Sequence, residues 1–209
     1  MIHLRVRPSN LVPEDLVPAV SALHSGGIVA FPTETFYGLA VDPRSALAVR
    51  RIFALKQRPP DQPLPLIAGG VEQIEDHVGT MTPLARRLAS HAWPGPLTVI
   101  IPASPRLCDD VHLSTGRVAV RVSAHPVARA LAQSAGHAIT STSANFSGDP
   151  PAATPERVVM SFADGIDVLV DAGATPAGLP STIVDATGDA PILVRAGAVP
   201  WERVLEFLQ

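Results

Sequence analysis

The sequence predicts an α/β fold in which helices flank an open, twisted, mixed sheet. Three observations predict it. Short apolar runs of strand length alternate with amphipathic stretches of helical period. Of the 209 residues, 46% are hydrophobic and only 17% charged, enough apolar material for a core. The 22 prolines are spread evenly, marking many stiff turns rather than one Pro-rich linker. The length suits one domain, and residues 1–209 are read as one.

Ile2 to Val6 reads as a strand. Asn10 to Ser25 reads as a helix, entered through Pro13, Glu14 and Asp15 and stopped by Gly26 and Gly27. Ile28 to Phe31 is a short buried strand. Arg44 to Lys56 is the clearest helix: Ala46, Val49, Ile52 and Phe53 form its stripe, and Arg58-Pro59-Pro60 breaks it. Lys56 and Arg58 therefore leave a helix end for a loop. Further strands are expected at Leu64 to Ala68, Leu97 to Ile101, Val118 to Val122 and Ala138 to Ser141. Val168 to Val170, Thr182 to Val184 and Ile192 to Val194 complete the set. Helices are expected at Val71 to His77, Pro83 to His91, Val127 to Ser134, Pro155 to Phe162 and Pro200 to Leu208. Asn145 to Pro155, rich in Gly, Pro and Ala, reads as a loop, either mobile or built of tight turns.

Composition excludes several function classes. A net charge of -3 argues against a broad basic face for nucleic acid. The single Cys108 excludes an internal disulfide and a thiolate metal cage, and beside Asp109 and Asp110 it reads as an inert thiol. Those two acids read as a solvated loop. No apolar run reaches the length of a membrane span or follows the N-terminus as a signal would, so a cytoplasmic protein with no membrane partner is expected. Neither standard glycine-rich nucleotide loop is present, and the seven histidines show no metal-ligand spacing.

Three polar clusters interrupt the apolar sequence. Thr33-Glu34-Thr35 follows a buried strand, and its two hydroxyls, two residues apart, suit either a small polar ligand or a capped turn. Lys56 and Arg58 form the second cluster. Two cations after a helix ordinarily make a solvated face, yet Lys56 is the only lysine beside 15 arginines. Thr140 to Gly148 packs five hydroxyls and an amide behind a strand, which suits phosphate, ribose or carboxylate as well as a plain loop. Ser181 before a strand and Arg195 at the end of another add to these.

Together the clusters resemble the YrdC-like family, the threonylcarbamoyl-AMP synthases. The motifs run P-T-E-T-F-Y-G-L, K-x-R-P, V-A-V-R ending at Arg121, S-x-N-x-S-G from Ser143, P-S-T-I-V-D and an R-x-G ending at Gly197. The resemblance implies a large concave basic cavity and an enzyme, a nucleotidyltransferase, that forms threonylcarbamoyl-AMP and pyrophosphate from L-threonine, bicarbonate and ATP. The product would pass to a separate tRNA threonylcarbamoyl transferase complex for modification of tRNA position 37, which leaves room for weak tRNA binding. Carried over residue by residue, Lys56 and Arg58 would be catalytic, and Thr35, Arg121, Ser141 and Ser181 would hold threonine. Arg58, Gln62, Arg117, Ser143, Asn145, Pro151 and Arg195 would line the ATP site. Magnesium is expected with ATP, with its protein ligands unassigned, and no organic cofactor is expected.

Three positions depart from the family pattern. Gln62 stands for the usual asparagine, Ile67 for a histidine near the threonine site, and Thr142 for a proline. The short stretch after Arg195 reads as the single-domain form of the family. A divergent paralogue that adenylates another carbamate, or an RNA-binding or ribosome-maturation accessory protein, would use the same cavity.

Overall fold

The computed structural model describes residues 1–57, 62–112 and 114–209. Strand β1 (Ile2–Arg5) is followed by a 3-10 turn at Pro13–Leu16 and helix α1 (Val17–His24). The single helix expected over Asn10 to Ser25 is thus divided. Pro18 has no amide to give to an upstream carbonyl, so an α-helical ladder cannot run unbroken through it. Next come β2 (Val29–Pro32), β3 (Tyr37–Ala40) and helix α2 (Ala46–Lys56). The hydroxyl of Ser45 caps α2 by accepting from the Ala48 amide, and Gln57 closes it in the left-handed region.

Strand β4 (Leu66–Ala68) leads into α3 (Val71–Gln73), and a π turn at Ile74–Val78 replaces the second half of the helix expected there. Helix α4 (Pro83–Ala92), β5 (Leu97–Pro102), a short α5 (Asp109–His112) and β6 (Arg117–Val122) follow. Helix α6 (Pro126–Ala135) then precedes two strands of two residues, β7 (Ile139–Thr140) and β8 (Thr142–Ser143). The chain ends with α7 (Pro155–Phe162), β9 (Val168–Asp171), β10 (Thr182–Asp185), β11 (Ile192–Arg195) and α8 (Trp201–Glu206).

These strands form two mixed sheets where one was expected, ordered β1-β9-β2-β3-β8 and β11-β10-β5-β6-β4-β7. The expected strand Ala138 to Ser141 is where they meet. Thr140 pairs with Leu66 of the second sheet, and Thr142 pairs with Leu39 of the first. Between them the Ser141 amide donates to the Pro65 carbonyl. The Thr140 hydroxyl accepts from the Val41 amide at 2.9 Å, tying the end of β3 to β7.

Strand periodicity sorts the side chains to two faces. Val118, Val120 and Val122 of β6 point into the larger core, with Val99 and Ile101 of β5 and Leu66 of β4. The alternate residues Ala119 and Arg121 face a cavity on the opposite side. Val29 and Phe31 of β2 and Ile67 of β4 enter a second apolar cluster covered by Leu16, Leu23, Val127 and Leu131 of the α1 and α6 layer. Among the described residues, no helix is long and apolar enough to cross a membrane.

Candidate active site

The cavity of about 570 Å³ lies where the two sheets meet. One wall is the turn between β2 and β3, with Thr33, Thr35 and Gly38. Gln62 to Pro65 and the crossing at Ser141, Thr142 and Ser143 form another. Ile100, Ala119 and Arg121 of the second sheet make the floor, and Pro180, Ser181 and Arg195 close the far side. The described lining carries two guanidiniums and no carboxylate. It therefore attracts anions.

The turn after β2 is both capped and turned toward the cavity. Thr33 Oγ1 donates to the Phe36 carbonyl at 2.7 Å and accepts from the amides of Thr35 and Phe36. Its proton is thereby committed to the Phe36 carbonyl, and the Thr35 hydroxyl oxygen lies 3.1 Å from it. The lone pairs of Thr35 Oγ1 remain for a cavity ligand, which suits an ammonium. Of the two alternatives left open for this segment, the capped turn is observed.

On the opposite side, Ser181 Oγ accepts from Thr98 Oγ1 at 2.9 Å and from Arg195 Nη2 at 3.1 Å. With two bonds accepted, its own proton is left to donate to a ligand. Arg195 also gives Nε and Nη2 to the Ser181 carbonyl at 3.2 and 2.7 Å. All its described acceptors are neutral, so its charge is uncancelled. Burial, and then the like charge of Arg121, push the Arg195 pKa down, although a guanidinium remains charged at neutral pH.

Arg121 has different surroundings. Its Nε donates to Glu34 Oε1 at 3.1 Å, and the Ser123 hydroxyl donates to Glu34 Oε2. Burial alone would raise the Glu34 pKa, but the Arg121 charge and the Ser123 hydrogen bond outweigh it and hold the carboxyl below its ordinary range. The sequence assigned no role to Glu34, although it stands in the first polar cluster, and none to Ser123. Two signals were present: Glu34 is the only charge in its motif, and Arg121 and Ser123 are two apart in an extended segment.

Lys56 does not line the cavity. Its ammonium, on a residue 2% exposed, donates to the carbonyls of Ser143 and Asn145 behind the wall. Asn145 gives its side-chain amide to the Phe146 and Asp149 carbonyls, and its Oδ1 is buried without a described partner. Arg117 is also off the lining and pairs with Asp185 at 3.1 Å. Arg58 lies outside the described residues. The other expected residues, Thr35, Gln62, Arg121, Ser141, Ser143, Pro151, Ser181 and Arg195, come together on the lining. Ile67 sits in register beside Arg121 but is buried in the second apolar cluster and is not on the lining. Burial, helped by Asp110 and Asp109, raises the Cys108 pKa and leaves the thiol protonated at neutral pH.

Fold and cavity together define a two-sheet α/β protein with an anion-attracting, hydroxyl-lined cleft. The chain belongs to the Sua5/YciO/YrdC family, whose family model, described as telomere recombination, matches residues 21–197. A Thiobacillus denitrificans protein named threonylcarbamoyl-AMP synthase is 42% identical over 167 residues, covering 79% of this chain and 88% of that protein. One of the same name from Bacillus subtilis is 36% identical over 190 residues, covering 90% of this chain. The chain spans 55% of the length of that relative and of the Pyrococcus abyssi one. The structure of P. abyssi Sua5 complexed with L-threonine superposes with a TM-score of 0.91 at 35% identity, over 99% of this chain and 60% of that one. Escherichia coli YciO shares the fold, with a TM-score of 0.85 at 24% identity over 95% of this chain and 97% of that one.

Proposed function

We propose that the cleft makes threonylcarbamoyl-AMP and pyrophosphate from L-threonine, bicarbonate and ATP, for threonylcarbamoyl transfer to tRNA by another enzyme in the cytoplasm. The observation that supports this most is the set of complementary groups around one cavity. Arg121 offers a fork to a carboxylate, Thr35 an acceptor to an ammonium, and Ser181 a donor beside the uncancelled charge of Arg195. The L-threonine bound in the P. abyssi neighbour supports the same assignment.

In this reading the amine of L-threonine, once deprotonated, adds to the carbon of bicarbonate, and loss of water leaves a carbamate. A carbamate oxygen then attacks the α-phosphorus of ATP, and pyrophosphate leaves. The participants other than the amine are anionic, so the protein's work is chiefly positioning and charge neutralisation. Arg195, with Gln62, Ser143 and Pro151 across the cavity, would take the nucleotide side. Ser141 and Ser181 would hold threonine with Thr35 and Arg121. Lys56 would act through the backbone of Ser143 and Asn145, as a positioning residue. Arg58 is kept on the phosphate side by resemblance.

The described residues do not form a magnesium site: the lining has no carboxylate, and no group of three or more His, Cys, Asp or Glu is assembled elsewhere among them. Magnesium enters this reading as part of the substrate, held by the ATP phosphates.

The test is pyrophosphate release from MgATP with L-threonine and bicarbonate each present or withheld. Release that needs both, and is lost in Arg121→Ala, is expected. Release that is indifferent to threonine, or greater with another amino acid, would overturn the substrate assignment.

A further inference from the structure

We propose that Glu34 determines which anion the Arg121 end of the cleft accepts, fixing the guanidinium and cancelling part of its charge so that a single carboxylate is taken and phosphate refused. The proposal rests on the reading of Arg121 as the carboxylate holder.

The two cavity arginines are built differently. Glu34 and Arg121 are 12% and 6% exposed at their side chains, and they meet through Arg121 Nε at 3.1 Å. The second carboxylate oxygen is held by Ser123, so Glu34 cannot swing away without losing a buried hydrogen bond. Glu34 stands behind the lining while Arg121 is part of it. The terminal nitrogens of Arg121 make no hydrogen bond to a described residue, so the fork is gripped at its base and open at its tip. Among the described residues, the acceptors of Arg195 are the Ser181 carbonyl and hydroxyl.

Charge and shape then discriminate together. A monoanionic carboxylate gains two parallel hydrogen bonds from a planar fork and meets modest repulsion from Glu34. A phosphate carrying nearly two charges meets about twice that repulsion, in a buried setting where solvent screens little. The same cavity is proposed to hold ATP and release pyrophosphate. Without Glu34 the threonine end would be a second site for phosphate, and substrate and product would compete there.

Calorimetry with L-threonine and inorganic phosphate, on the wild type and on Glu34→Gln, tests this. The wild type is expected to bind threonine, to ignore threoninol, which lacks the carboxylate, and to show no competition by phosphate. In Glu34→Gln, threonine should weaken by about tenfold or more and phosphate should become competitive with it. Phosphate binding gained in Glu34→Gln should disappear when Arg121→Ala is added. Equal threonine affinity and absence of phosphate competition in Glu34→Gln would overturn the proposal. Wild-type protein that binds threoninol as well as threonine would sink the carboxylate reading, while the phosphate arm would still judge Glu34. Should Glu34→Gln not fold, Glu34→Asp keeps the charge but not the reach. It should weaken threonine without admitting phosphate, and unchanged threonine affinity there would overturn the proposal.

Discussion

Lys56 Nζ lies 2.6 Å from the Asn145 carbonyl oxygen and also donates to the Ser143 carbonyl, so the ammonium ties the end of α2 to the segment that forms β8 and leaves it. Removing it takes the ammonium from two part-buried carbonyls, each worth about 1–3 kcal/mol when unsatisfied. Lys56→Met keeps the apolar stem and should destabilise the protein by about 2–5 kcal/mol. Under the proposed function it should also abolish most pyrophosphate release. Lys56→Arg should not restore activity, because a broad planar fork cannot reproduce the two bonds that a compact ammonium gives from a buried position. Denaturant unfolding beside the release assay reads both effects, and a fully active, equally stable Lys56→Met would refute the positioning role.

Gly197 makes a close approach that any side chain forbids. A Cβ there would lie 2.3 Å from the Pro180 carbonyl oxygen and 2.6 Å from the Ser181 carbonyl carbon. The Ala198 amide donates to that Pro180 oxygen at 2.8 Å, and two residues earlier in the chain Arg195 grips Ser181. Gly197→Ala should push the segment after β11 off Pro180 and loosen Arg195, lowering the melting temperature and weakening ATP binding together. Wild-type ATP affinity in this variant would show that Arg195 is positioned without the close approach.

The distribution of these features explains what the sequence revealed. Helix α2 was legible to its end because its apolar stripe and the prolines after Lys56 agree. Strands β5 and β6 were legible as β-branched runs. Strand β3 was not: Tyr37, Gly38, Leu39 and Ala40 are all buried, so no alternation marks them, and they follow directly on a segment read as either a ligand site or a capped turn. The division into two sheets depends on Ser141 bonding to Pro65, a non-local contact without a local signature. Most residues on the cavity lining stood in clusters of hydroxyls and arginines that are conspicuous in an apolar chain, and their expected roles came from the resemblance. The partners of Lys56 were hidden because they are carbonyls, which every residue has. Glu34 meets Arg121 across 87 residues, a distance no spacing rule spans.

Thr33 and Thr35 separate folding from binding within one turn. Thr33 holds the turn through three bonds to the Thr35 and Phe36 backbone, whereas Thr35 keeps acceptor lone pairs for the cavity. Thr33→Val should cost about 1–3 kcal/mol of stability by leaving those backbone groups unpaired. Thr35→Val keeps the branched shape and should leave the melting temperature nearly unchanged while weakening L-threonine by about tenfold or more. Calorimetric Kd values beside thermal melts give the split. A Thr35→Val variant that binds threonine normally would remove Thr35 from the site.

Stability should fall with acid in two stages. Burial, the largest cause, depresses the His125 pKa, with Arg129 adding to it against Glu34; burial also depresses that of His137, against its Ala138 hydrogen bond and Asp42. Below the unfolded value of 6.5, the unfolded chain takes protons that these folded imidazoles refuse, so folding loses free energy as pH drops. The second stage belongs to Glu34 and Asp42, whose carboxyls are held below 4.5 and 3.8 by Arg121 and Ser123 and by Arg44. Their contribution is complete above those unfolded values and disappears as the folded carboxyls are protonated. Urea unfolding at intervals from pH 8 to 2 should show a plateau, a decline starting near 6.5 and a steeper one setting in below 4.5. His137→Asn should flatten the first decline, and Glu34→Gln the second. Stability that rises between pH 7 and 5.5 would contradict the assignment, since it would require a folded state that binds more protons than the unfolded chain.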